Sequence, residues 1–156
     1  MIAILGIGQS LRGDDAAGQK AVVQWQRLYP ASAIAPNVCV ELLELPGLAL
    51  LDYLEGAHRV LLVDAVRSGA APGSLHLLSE ADLAEFAAGS GSAHGWGVAE
   101  TLALGRKLHP EKMPVRVDIL GIEAGDISLG EALSVGVQAA LDQAAAMIAA
   151  WLDEKE

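Results

Sequence analysis

Apolar positions along the chain fall into two rhythms. Residues 2–7, 38–43, 59–64, 74–78 and 115–122 are short stretches that read as strands, and three of the five are apolar almost throughout. Continuous apolar runs of that length predict central strands covered on both faces. Residues 16–29, 47–54, 81–88, 98–108 and 130–152 read as helices. The last places Leu133, Val137, Leu141, Ala144, Ile148 and Leu152 along one face, which predicts a long helix buried on one side. Pro30 and Pro36 punctuate the first helix and the second strand, and Pro110 and Pro114 bracket the turn before the last strand. Strands alternating with helices predict an α/β fold. The expectation is a single domain over residues 1–156, three-layered, with a twisted, mostly parallel sheet of about five strands flanked by helices. The turn residues Ala70, Ala71, Pro72 and Gly73 predict that one strand runs antiparallel.

Composition sharpens this picture. Apolar residues make up 53% of the 156 positions but aromatics only 4%, so Leu, Val, Ile and Ala must build the core. Twenty acidic against ten basic residues give a formal charge of −10. That balance excludes nucleic acid and anionic membrane as main partners, because both require a cationic face. The single Cys39 excludes an internal disulfide and a multi-cysteine zinc site. Its setting, Val38-Cys39-Val40, predicts a small buried side chain. No basic segment precedes the first apolar run, and no apolar stretch approaches the ~20 residues of a membrane span. A cytoplasmic protein is expected, and nothing in the sequence specifies its oligomeric state.

The chemistry concentrates in the first strand–turn–helix unit, which runs Gly6-Ile7-Gly8-Gln9-Ser10-Leu11-Arg12-Gly13-Asp14-Asp15-Ala16-Ala17-Gly18. A glycine-rich turn between strand and helix usually marks a phosphate site, because free N–H groups at a helix start attract anions. Here the turn ends in Asp14 and Asp15, which repel phosphate and attract a cation. In doubly wound sheets ligands bind beyond the carboxyl ends of strands, where neighbouring connections leave in opposite directions. The third strand ends at Asp64. With strand order 2-1-3, Asp15 and Asp64 face one crevice, and the loop carrying His94 reaches the same side. Two carboxylates and an imidazole suit a borderline divalent cation such as zinc or nickel, with positions left for water or substrate. Plainer readings stand beside this one. Either aspartate of the pair serves as a helix cap, Asp64 begins a turn, and His94 is an exposed loop residue. His58, His76 and His109 have no acidic or glycine-rich sequence context that singles them out.

Taken together, these residues resemble the nickel–iron hydrogenase maturation proteases. The opening motif is followed in order by Val63-Asp64-Ala65-Val66 with Pro72-Gly73, by Ser92-Ala93-His94-Gly95-Trp96-Gly97, and by Leu120-Gly121-Ile122-Glu123. The resemblance implies a cytosolic endopeptidase that removes a short C-terminal extension from a hydrogenase large-subunit precursor after nickel insertion. It places the family's metal-contacting acid, acid and histidine on Asp15, Asp64 and His94, which then recognise the nickel held by the substrate, with zinc or cadmium able to substitute. Two hydrolytic routes stay open. The cation polarises the scissile carbonyl and activates water, or it only positions the substrate while a carboxylate such as Asp14 acts as general base. Gln9, Ser10, Ala16, the stretch from Glu41 to Gly47, and Ala124-Gly125-Asp126 depart from the usual pattern. Two other functions compete. A dinucleotide-binding enzyme would use Gly6 and Gly8 with Glu41 or Glu44, but Leu11 stands where the fingerprint requires glycine. A non-catalytic maturation chaperone on the same fold is the third.

Overall fold

The computed structural model describes residues 1–89, 97–130 and 132–154. Five strands form one sheet: β1 (Ile2–Gly8), β2 (Val38–Glu44), β3 (Arg59–Val66), β4 (Leu75–Ser79) and β5 (Arg116–Glu123). Their order is β2-β1-β3-β5-β4. β1, β2, β3 and β5 run parallel, and β4 runs antiparallel to β5. The expected α/β sheet and the 2-1-3 order are both present. The antiparallel strand is present too, although its partner is β5 rather than the preceding β3.

Helices cover both faces: α1 (Ala17–Leu28), the single turn α2 (Pro30–Ala33), α3 (Leu50–Leu54), α4 (Glu80–Gly89), α5 (Val98–Leu108) and α6 (Val135–Asp153). On one face Ala21, Val22 and Trp25 of α1 and Val137, Leu141, Ala144, Ile148 and Trp151 of α6 pack on Ile4, Leu61, Val63, Leu120 and Ile122. On the other, Leu50 and Leu54 of α3, Leu83 of α4 and Leu102 of α5 pack on Leu5, Val60, Leu62 and Ile119. The interior strands β1, β3 and β5 are therefore buried on both sides, which is why they read as continuous apolar runs.

Three details differ from the sequence-based expectation. Cys39 is half-buried, because β2 is an edge strand with one side open. The last helix starts at Val135 rather than near residue 130, because Asp126 and Gly130 bond to the first turn instead. There the Gly13 amide donates to the Gly130 carbonyl and the Gly130 amide to the Leu11 carbonyl, at 2.8 and 2.9 Å. Finally, α6 has the length of a membrane span, 19 residues at mean hydropathy 1.3. Polar Gln138, Asp142 and Gln143 interrupt it, and its apolar stripe is a core face.

The amino end of the sheet is locked to the end of α6. The buried Arg59 guanidinium stacks 4.4 Å over the Trp151 ring and donates to the carbonyls of Trp151 and Glu154. Trp151 donates its indole N–H to Asp118 at 2.7 Å. This end is fastened through the two terminal nitrogens of Arg59 and the indole of Trp151, while Arg59 Nε is buried without a hydrogen-bond partner among the described residues.

Candidate functional site

Two glycines set the approach of the first turn to the sheet. A side chain at Gly8 would place its Cβ 2.1 Å from the Asp15 carbonyl oxygen, and one at Gly18 would place it 2.1 Å from that of Val63. Only glycine allows backbone contacts this close. The 3₁₀ turn Gly13–Ala16 and the start of α1 consequently lie across the ends of β1 and β3. Asp15 sits in that turn and is 2% exposed; Asp64, one residue beyond Val63, is 6% exposed. The Ala65 amide donates to Asp64 Oδ1 at 2.8 Å. Strand alternation puts Asp64 on the face of Val60 and Leu62, which α3, α4 and α5 cover.

The two connections around β1 leave in opposite directions, through α1 on one face and α3 on the other. The ends of β1 and β3 thus form the switch point at which α/β sheets bind ligands. Asp15 and Asp64 are both brought to it. His94 lies outside the described residues, although α4 and α5, which flank it in sequence, both pack on the Asp64 face. Among the described residues no group of three His, Cys, Asp or Glu side chains surrounds a common point for a cation.

Asp14 behaves differently from its neighbour. Neither it nor Asp15 caps the first turn or α1 through its side chain. Instead Asp14, fully buried, accepts the amides of Gly125, Asp126 and Ser134 at 2.7, 2.9 and 2.7 Å and the Ser134 hydroxyl at 2.7 Å. Burial pushes its pKa up, but the bonds from Ser134, Asp126 and Gly125 outweigh that and hold it below the ordinary carboxylate value. Four donors use the lone-pair positions of an ionised carboxylate. This is the geometry of an anchor joining the first turn to the start of α6.

A second buried carboxylate, Glu123, has no role in the sequence-based site. It is 1% exposed at the end of β5. It accepts the Ser68 amide at 2.7 Å, the Ser68 hydroxyl at 2.8 Å and the Gly69 amide at 3.1 Å. His76 Nε2 lies 3.2 Å from Oε2, the oxygen that also accepts the Ser68 hydroxyl, and the His76 ring packs on Phe86 with centroids 5.2 Å apart. Burial raises the Glu123 pKa, but the bonds from Ser68, His76 and Gly69 prevail and lower it. His76 therefore has an acidic partner, 47 residues away in sequence, which no local pattern reveals.

The rim is tied as well. Glu44 accepts the Ser10 amide at 3.2 Å, and Gln19 donates to the Leu43 carbonyl at 3.0 Å, tying the end of β2 to the residues after β1 and to the first turn of α1. Glu44, one of the two candidate ribose acids, is taken up by this bond, and the buried acid pair at the helix start would repel a pyrophosphate; both weigh against the dinucleotide reading.

Comparison with known proteins agrees with the fold and adds a family. The model of the hydrogenase maturation protease family matches residues 35–151. The hydrogenase expression/formation protein HoxM of Cupriavidus necator is 27% identical over 157 residues, covering 97% of this chain and 75% of HoxM. The [NiFe] hydrogenase maturation protease HybD of Thermococcus kodakarensis superposes with a TM-score of 0.74 at 26% identity, covering 97% of this chain and 99% of that one. The hydrogenase maturating endopeptidase HybD of Escherichia coli superposes with a TM-score of 0.77 at 23% identity, over 97% and 91% of the two chains, a likeness of fold.

Proposed function

This chain belongs to the hydrogenase maturation protease family, and from that membership we propose that it is the endopeptidase that trims the C-terminal extension of a nickel-loaded hydrogenase large-subunit precursor in the cytoplasm. The observation that carries the reading is the convergence of Asp15 and Asp64, both buried, on the switch point between β1 and β3. In this reading the nickel belongs to the substrate. Asp15, Asp64 and His94 recognise it, an oxygen and nitrogen donor set suited to a borderline divalent ion, with zinc or cadmium as stand-ins. In this reading the acids hold the precursor only when the metal has been inserted, because the cation is what their oxygens coordinate.

The anchoring of Asp14 supports the route in which it holds the turn carrying Asp15 rather than taking a proton from water. Water activation then falls to the substrate's cation or to an acid of the Asp15–Asp64 pair.

The test is cleavage of a nickel-loaded precursor by purified protein, with wild type and the Asp15→Asn, Asp64→Asn and His94→Ala variants compared by mass spectrometry and circular dichroism. Each variant is expected to stay folded and to lose at least about 100-fold in rate. Full cleavage by one variant removes that residue from the site. Wild-type protein that binds the precursor without cutting it favours the chaperone function instead.

A further inference from the structure

Besides Asp15 and Asp64, two buried carboxylates at this end of the sheet, Asp14 and Glu123, grip opposite ends of one short segment. Residues 123–126 are bonded at every step. The Glu123 carboxylate holds Ser68 and Gly69, and the Glu123 carbonyl accepts the Gly73 amide at 2.8 Å. The Ala124 amide donates to the Val66 carbonyl at 2.9 Å. The Gly125 and Asp126 amides donate to Asp14, and the Asp14 amide donates back to the Asp126 carbonyl at 2.8 Å. One end of the segment is thereby fixed to the residue beside Asp15. The other is fixed to Val66, Ser68 and Gly69, immediately beyond Asp64. A continuous run of hydrogen bonds connects the backbone carrying one candidate acid with the backbone carrying the other.

Added stability alone is a poor account of Glu123. Burying a carboxylate carries a desolvation cost that its partners offset only with good geometry, and apolar packing stabilises a strand end as well. Fixed direction is what several charge-assisted bonds supply. The loop being fixed is exposed at Arg67, Ser68 and Gly69, so nothing in the core would otherwise hold it.

We propose that Glu123 is a positioning residue for the proteolysis: through Ser68 and Gly69 it fixes the carboxyl end of β3, and with Asp14 at the far end of residues 123–126 it sets the separation of Asp64 from Asp15. This rests on the protease reading above. His76, packed on Phe86, supports it from β4 by contacting Oε2, the oxygen that accepts the Ser68 hydroxyl.

The experiment compares Glu123→Gln, Ser68→Ala and the double variant in steady-state cleavage of the nickel-loaded precursor, with amide hydrogen exchange on the free proteins. Glu123→Gln keeps the shape but turns one acceptor oxygen into a donor. Ser68→Ala removes a single bond from an exposed loop residue, so it folds. Glu123→Gln is expected to lower kcat about 10–100-fold and to raise KM, because Asp15 and Asp64 also hold the precursor. Ser68→Ala lowers kcat less, and the double variant is no slower than Glu123→Gln, because both act through one contact. Exchange quickens at Ser68 and Gly69 but not at Gly125 and Asp126, which Asp14 holds. Wild-type kcat in Glu123→Gln despite faster exchange overturns the positioning role and leaves the protease reading standing. A loss of kcat that only follows the loss of folded protein, with Ser68→Ala uncoupled from it, overturns the role too. Wild-type protein that leaves the precursor uncut removes the protease reading, and the positioning role with it.

Discussion

Asp14 and Asp15 are adjacent and chemically identical, yet their surroundings separate them. Asp14 is saturated by donors 111 to 120 residues away, at Gly125, Asp126 and Ser134, all in the stretch before α6. Replacing it with Asn presents an amide N–H to a ring of donors and leaves at least one buried group unmatched. Asp14→Asn is expected to cost about 1–3 kcal/mol, and thermal melts should show about 2–4 °C of lowering for each kcal/mol in a protein of this size. Precursor cleavage should fall as well, because the turn carrying Asp15 loosens. An unchanged melting temperature would contradict the anchoring. The acid pair and Asp64 were legible from sequence because a strand end and a glycine turn are local signals. Which aspartate is the anchor was not legible, because Gly125, Asp126 and Ser134 carry no mark of where their amides point. The same holds for Glu123 and His76, which read as strand residues until β4 and β5 are paired.

Elements were legible where the hydrophobic period decides them and less so where tertiary bonds do. α5 spans the expected residues 98–108, and each strand lies within a residue or two of its expected bounds. The helix expected at 47–54 is split into a 3₁₀ turn, Gly47–Ala49, and the short α3. α6 starts at Val135 rather than at Gly130, because Gly130 is committed to bonds with Leu11 and Gly13 of the first turn. The pairing of β4 with β5 spans two helices in sequence, and no local pattern announces it. Glycines in the opening motif carry a different kind of information, namely how closely elements approach. Gly18→Ala would drive a methyl to 2.1 Å from the Val63 carbonyl and 2.8 Å from that of Ile7. Neither backbone can move without shifting the ends of β1 and β3, so the expected cost is about 1–3 kcal/mol or more. Denaturant melts should register it as a lower midpoint with the same slope. Tolerance of alanine there would mean that α1 sits further from the sheet.

At the scale of the whole molecule the acidic excess and the buried carboxylates pull in opposite directions as pH falls. Protonating surface acids relieves self-repulsion in a chain of formal charge −10, which stabilises the folded state. Asp14 and Glu123 act the other way. Their pKa values are lowered on folding, because hydrogen bonds to the ionised forms outweigh burial. A depressed folded value contributes stability that is complete above the unfolded value and is lost as pH falls through the folded one. Unfolded carboxylates titrate near about 4, so the loss begins below roughly pH 4.5. Glu44, Asp82 and Asp126 are also lowered, by bonds from Ser10, Ser79 and Ser128, but these groups are on the surface and salt screens them. The expected melting temperature is therefore level or slightly rising from neutral pH to about pH 5, then falls steeply. High salt should flatten the first part, which is surface repulsion, and leave the steep part in place, which is buried. Asp14→Asn should reduce the steep part, since one of the two groups responsible is gone. A steep fall that disappears in high salt would assign acid sensitivity to the surface, and Asp14 and Glu123 would then be protonated without consequence for the fold.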